Sequence, residues 1–243
     1  MFRSPKSIQN MKLAGIDSCP FGWVVILHDS KKFSFEVVKS IDQLVDLHPD
    51  LQRLFIDIPI GLSCEKFTRT IESKLRKELG NRSSTIFTPA CRKAIYAPDY
   101  DKARELNKEI LGKSISIQSY NISKKIKEID QFLETKSEAL EVYESHPEIC
   151  FKYFNNSEVI QTKKSTKEGF EERFNLLKKQ HPELVELYSV ITESFSKSKV
   201  KPDDILDAMV LCVANLKSES SGLRYFQDEH HKDEKGIFVK IVY

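Results

Sequence analysis

Two apolar runs near the start of the chain each carry a single aspartate, and this pairing constrains the fold more than any other feature. Lys12-Leu-Ala-Gly-Ile-Asp17 ends on one, and Leu54-Phe-Ile-Asp-Ile-Pro-Ile60 holds Asp57 in its middle. Short apolar runs of this kind read as buried strands, and strands with no polar face belong to sheets covered by helices. An ionised carboxylate there costs several kcal/mol unless it is compensated. A hydrogen bond from a following turn is a sufficient reason for one such aspartate. Two of them point to function, because open α/β sheets bind ligands at the carboxyl ends of their strands.

The surrounding pattern agrees with an α/β class. Gly22–Leu27 reads as a second strand joined to the first by a Pro20-Phe21-Gly22 turn, and Phe33–Val38 as a third, with a helix over Ile41–Leu47. From Ser63 to about Lys113 the sequence turns charged and helix-favouring, broken by Pro89 and Pro98, which reads as an insertion over a sheet edge. An amphipathic helix follows over Ile115–Leu133, then a strand over Ala139–Ser145. Helices are expected near Lys167–Gln180, Pro182–Ser198 and Pro202–Lys217, and Gly236–Val242 reads as a late edge strand. Residues 1–10 have no periodicity and read as a disordered extension, so 11–243 is expected to form one domain with an insertion at about 63–113. Trp23 and Phe21 read as core of the first hairpin.

Lys and Arg number 38 against 36 Asp and Glu, so overall charge does not announce a nucleic-acid binder, and any basic surface must be local. The five cysteines form no C-x-x-C pair and have no histidine at ligand spacing, which argues against a zinc site or a disulfide framework. No apolar run approaches the roughly 20 residues that span a bilayer, and MFRSPKSIQN lacks the apolar centre of a signal peptide. A cytoplasmic protein without a membrane partner is the expectation.

The third acidic element is Pro202-Asp-Asp-Ile-Leu-Asp-Ala208, which opens an uncharged, wholly apolar stretch to Ala214. Acids in a first turn complement the helix dipole, which explains Asp203 and, in part, Asp204. It does not explain Asp207. Asp204 and Asp207 share a face of a helix that must be buried, so they point into a protein-walled site. Convergence with Asp17 and Asp57 would raise carboxyl pKa values and call for a cation. Hard oxygen ligands suit Mg²⁺ or Mn²⁺, and two such ions roughly 3.5–4 Å apart support in-line hydrolysis of a phosphodiester.

The ordered set GID, FGW, DIPIGL, LGNRSS, CR, GKSISIQ, E-x-HPE, KK-x-x-x-EG and DDILDA, running from about Lys12 to Asn215, resembles domain-of-unknown-function family 429, usually described as predicted RNase H-like nucleases. The resemblance implies an RNase H-like mixed β-sheet flanked by helices, with the helical insertion after the fourth strand. It further implies a two-metal-ion nuclease acting on DNA or RNA. Asp204-x-x-Asp207 looks like the start of the final helix of Holliday-junction resolvases, Asp17 like their first-strand acid and Asp57 like the acid of a later central strand. A homodimer, as in junction-cutting enzymes, is left open by that likeness. Ser18 departs from the pattern, which has glycine after the first aspartate.

Glu144 and Glu148 compete for a further acidic position, the alternative for Glu148 being a first-turn acid in a helix started by Pro147. His146 can position a water or phosphate, and can equally be a satisfied structural histidine. Lys66 to Lys113 holds 12 Lys and Arg against 6 Asp and Glu, so positive charge concentrates there. Arg82 and Arg92 are the expected phosphate contacts in that segment, Lys113 the expected anion donor before the next helix, and Lys164 that of a second basic loop. Two rival readings remain: an actin-like phosphotransferase, which should carry glycine-rich loops that a chain with 8 glycines and no G-x-G lacks, and a non-catalytic metal-binding regulator.

Overall fold

A hairpin between Lys12–Cys19 (β1) and Gly22–His28 (β2) begins the sheet, both strands being almost wholly buried. The computed structural model describes residues 11–243, and the expected extension at 1–10 lies outside the described residues. Phe33–Val38 (β3) adds antiparallel to β2, and Ile41–Leu47 (α1), capped by the Ser40 hydroxyl, leads to Leu51–Ile56 (β4). β4 and Glu141–Ser145 (β5) run parallel to β1, and Tyr225–Lys232 (β6) and Phe238–Val242 (β7) complete seven strands in the order β3-β2-β1-β4-β5-β7-β6. The fold is therefore mixed α/β, with helices on both faces.

Between β4 and β5 lie Ile71–Leu79 (α2), a 3-10 segment Gly80–Thr85, Arg92–Ile95 (α3), Tyr100–Leu111 (α4) and Ile117–Thr135 (α5). After β5 come Pro147–Phe154 (α6), Lys167–Gln180 (α7), Leu184–Ser194 (α8) and Pro202–Ser221 (α9). Alternation along the strands sorts these into two layers. Ile16, Trp23, Val25, Leu54 and Ile56 pack with α1, α3 and α5, whereas Val24, Ile26 and Phe55 pack with α6, α8 and α9. α2 packs instead on β6, β7 and α6 at one end of the sheet.

The apolar helix α9 is seated directly on β1, so closely that a Cβ built on Gly15 falls 2.0 Å from the Cys212 amide nitrogen and 2.3 Å from the Ala208 carbonyl oxygen. Buried polar contacts fix its far end. Arg53 on β4 donates to the Asn215 side-chain oxygen at 2.6 Å, and the Asn215 amide donates to the carbonyls of Ala14 and Arg53 at 2.9 and 3.1 Å. β1, β4 and α9 are thereby held as one unit, with Asp207 near the opposite end of α9 from Asn215.

Several boundaries differ from the sequence reading. β4 ends at Ile56, because its ladder with β1 closes there, so Asp57 stands just past the strand rather than inside it; its amide donates to the Ile16 carbonyl at 3.1 Å. The Gly236–Val242 segment supplies β7, an inner strand between β5 and β6, rather than an edge. The edge is β6, whose sequence YFQDEHHK hides it: a strand paired on one side needs little apolar surface. Ser18 needs no glycine substitute, since β1 continues through it and pairs it with Trp23.

Candidate metal centre

Asp17 and Asp57 leave neighbouring parallel strands side by side, and α9 brings Asp207 to the same face, since residues 13, 15, 17 and 19 of β1 look towards that helix. Asp17 is 7 % exposed and accepts a 2.7 Å bond from the Ser18 amide; Asp207 is 2 % exposed. Burial pushes the Asp17 carboxyl well above the usual range, with the charges of Asp57 and Asp207 adding to the effect. Asp57, half-buried, is pushed up to about 6, chiefly by burial, with Lys164 opposing and Glu148 adding. Asp207 is likewise pushed to about 6 by burial, against the pull of Lys164. These three carboxyl groups feel one another, as the sequence argument required.

Asp204 has a double position. Its carboxylate accepts from the Lys201 amide at 3.2 Å, a helix-start bond, while burial and its neighbours Asp203 and Asp207 push it up to about 6 against that bond. It borders the group and also caps α9.

Lys164 stands nearest to the acids. Its ammonium donates to Asp207 Oδ2 at 2.5 Å. Burial works against its charge, but Asp207, Asp17 and Asp57 hold its pKa well above the ordinary lysine value. The sequence reading gave it to a substrate phosphate; in this structure it is the counter-ion of the aspartates.

The two glutamates separate cleanly. Glu144 points to the opposite face of the sheet from Asp17, where Arg69 grips both oxygens at 2.9 and 3.1 Å and the Ile60 amide donates at 2.7 Å. Both oxygens are held by these interior donors, so its expected catalytic place is corrected to a structural one. Glu148, in the first turn of α6, lies on the acidic side and acts on the charges of Asp57 and Asp207. Arg173 from α7 holds it at 2.8 and 2.9 Å, and Arg82 comes to 3.9 Å. Sequence reasoning missed Arg173. Its signal was a lone arginine on the apolar stripe of α7, four residues from Gly169 and from Leu177, a position that demands a buried partner.

His146 also belongs here. Burial lowers its pKa to about 4, and Glu148, Asp207 and Lys164 all act on it. Among the described residues its Nδ1 and the Nε of Arg82 are buried without a partner. Arg92 does not belong: on the far face its two terminal nitrogens meet Asp130, Asp233 and Glu234 at 2.9, 2.6 and 2.9 Å, with its Nε alone left without a partner among the described residues, so its expected phosphate contact is corrected to an interior ion cluster. Lys113 sits in the loop before α5, away from the aspartates.

The aspartate oxygens are not drawn into a tight cage. Among the described residues the only three-group set whose ligand atoms all lie within 4.8 Å is Cys64, Glu65 and Glu234. Its carboxylates are already neutralised, Glu65 by Lys93 and Glu234 by Arg92. The aspartates gather more loosely around a lysine, as like charges do when a single ammonium must serve several of them.

The profile of the family described as Protein of unknown function (DUF429) matches residues 15–230, nearly the whole chain. The chain belongs to this family. Comparison with curated proteins and with solved structures finds no match. The matched span of this DUF429 chain contains Asp17, Asp57, Glu148, Lys164, Arg173, Asp204 and Asp207 together. No helix among the described residues is long and apolar enough to cross a membrane, and all five cysteines are free and buried.

The shifted carboxyls set a pH dependence. Folding carries Asp57, Asp204 and Asp207 from an ordinary value of 3.8 to about 6. A raised folded-state pKa means that the folded chain holds protons the unfolded chain has released, so the stability these groups contribute is full below the unfolded value and is lost as pH rises through the folded one. Measured against Asp207→Asn, the metal-free wild type is expected to lose melting temperature between about pH 4 and about pH 7. A wild-type minus variant difference that stays flat over that interval would refute the assignment.

Proposed function

We propose that this chain is a divalent-metal-dependent nuclease that hydrolyses phosphodiester bonds of DNA or RNA. In this reading residues 11–243 form one RNase H-like domain, with 63–113 as an insertion. The observation that carries it is the meeting of Asp17, Asp57 and Asp207 at the end of β1 and β4 and the start of α9, with burial and mutual repulsion holding their pKa values up and one lysine for relief. The antiparallel β1-β2-β3 sheet continued by parallel β4 and β5 supports the same reading.

The donor set fits Mg²⁺ or Mn²⁺: the groups are carboxylate oxygens, with no sulfur or imidazole nitrogen among the three that face one another. When bound, such ions polarise a phosphodiester oxygen and make a water nucleophilic at neutral pH. Asp17, Asp57 and Asp207 would hold them. Glu148, fixed by Arg173, keeps a further negative charge at the rim without having to move. His146 is neutral above about pH 4, so its free Nδ1 can orient a water or accept its proton. Arg82, with Nε unpartnered, can hold a phosphate oxygen of the nucleic acid.

Calorimetric titration with Mg²⁺ and Mn²⁺, together with cleavage assays on single-stranded, duplex, hybrid and branched substrates, tests this. No binding of either ion at millimolar levels would remove the metal centre. Cleavage that persists unchanged in Asp17→Asn would remove the catalytic reading. Lys164 adds a sharper expectation: its ammonium occupies the charge position that a cation needs, so Lys164→Ala should tighten Mg²⁺ binding by about tenfold, roughly 1.4 kcal/mol. Equal affinity in wild type and variant would mean that lysine and metal do not compete.

A further inference from the structure

The GKSISIQ motif has no part in the acidic centre, yet it builds a second concavity. A cavity of about 380 Å³ lies between α2, the Thr88-Pro89 turn and the start of α5, and shares no lining residue with the aspartates. Its wall includes Glu72 and Arg76 from one face of α2 with Arg69 just before it, and Lys113, Ser114, Ser116 and Ser119 from the loop and first turn of α5. α5 is 19 residues long and its first turn borders the cavity; Ser116 caps it by accepting from the Ser119 amide at 3.1 Å. The first-turn amides left without an acceptor, those of Ile117 and Gln118, do not line the cavity, so the groups that face an anion there are Arg76, Lys113 and the hydroxyls of Ser114, Ser116 and Ser119.

The walls are fixed in place. Arg76 donates to the Ile86 carbonyl at 3.0 Å and to the Thr88 hydroxyl at 2.7 Å, which sets its guanidinium. Buried Asn107 ties the loop by donating to the Lys113 carbonyl at 2.7 Å and accepting from the Cys91 amide at 2.8 Å. Glu72 supplies an independent sign of a ligand. It is 4 % exposed; its Oε1 accepts from Arg69 at 2.8 Å, and its Oε2 has no partner among the described residues. A buried carboxylate oxygen without a donor is costly, and a ligand N–H or O–H would relieve it.

We propose that this cavity binds a small phosphorylated molecule that also carries an amino, amide or hydroxyl donor. The phosphate lies against Lys113, Arg76 and the Ser116 and Ser119 hydroxyls, and the donor meets Glu72 Oε2. The volume is at the low end for ligand pockets, about 300–1,000 Å³, which suits a mononucleotide and not a polymer. The site stands whether or not the aspartates hold a metal.

The test is calorimetric titration of the intact chain in EDTA with inorganic phosphate and with the four common nucleoside monophosphates. At least one nucleotide should bind with a Kd below about 1 mM and more tightly than phosphate. Lys113→Ala, at an exposed position, should weaken it at least tenfold, whereas Asp17→Asn should leave it unchanged. Glu72→Gln should weaken the nucleotide and spare inorganic phosphate. Should that variant fail to fold, Lys113→Ala still decides the matter. Absence of nucleotide binding at about 5 mM, equal affinity in Lys113→Ala, phosphate bound as tightly as every nucleotide, or loss in Asp17→Asn would each overturn the proposal.

Discussion

Asp207→Asn is expected to lower metal-dependent cleavage by at least about 10³-fold, equivalent to some 4 kcal/mol of transition-state stabilisation, while leaving the chain folded and slightly more stable. The two effects share one cause. Asp207 is nearly fully buried, pushed up to about 6 by burial, and placed where it raises the pKa of Asp17 as well. Asparagine keeps the shape and one oxygen but removes the charge, so a cation loses attraction and the neighbouring aspartates lose a repulsive partner. Lys164 also loses the charge of its 2.5 Å partner, while Asp17 and Asp57 still attract it. A residue kept for stability would show the reverse, with melting temperature falling and rate little changed. Gel assays of cleavage and thermal unfolding on the same preparation decide between them. Cleavage within tenfold of wild type would show that Asp207 does not serve the reaction.

The second large effect is expected at Gly15. A Cβ there would sit 2.0 Å from the Cys212 nitrogen, 2.7 Å from its Cα and 2.3 Å from the Ala208 oxygen, all backbone atoms that no rotamer change can move. Ordinary contact requires α9 to withdraw from β1 by more than an ångström. Overpacking of a core costs typically 1–3 kcal/mol, and with only helix backbone in the way Gly15→Ala should reach at least about 3 kcal/mol. The Arg53–Asn215 contacts resist that withdrawal, so the strain cannot relax by simple sliding. Because α9 carries Asp204 and Asp207, the same displacement separates them from Asp17, and a shift of about 1 Å costs on the order of 10²-fold in rate. Denaturant unfolding of Gly15→Ala measures the first effect and its cleavage rate the second. A stability within about 1 kcal/mol of wild type would mean that β1 and α9 are not packed as described.

Much of the fold is legible in local pattern. The first hairpin, β3, α1 and α7 lie where alternation, helical period and capping residues put them, because those signals depend on neighbours a few residues apart. Asp17, Asp57 and Asp207 stand out for a similar reason: a charge inside an apolar stretch is visible without knowing what it faces. Sequence marks these residues as needing a partner. It does not name the partner, and so it could not choose between Glu144, inside β5, and Glu148, four residues later in α6, which end on opposite faces of the sheet. Nor could it see that Arg92 is spent on Asp130 and Asp233, or that Lys164 is set against Asp207 across 43 residues of chain. β6 escaped notice because an edge strand paired on one side carries little apolar signal. The sequence by itself determined the α/β class and the aspartates that burial would make costly, since both follow from composition within a turn or a strand. Only the tertiary structure decided which charges meet, because that depends on how β1, β4, α6 and α9 pack, and packing brings together residues whose separation along the chain carries no trace of their contact.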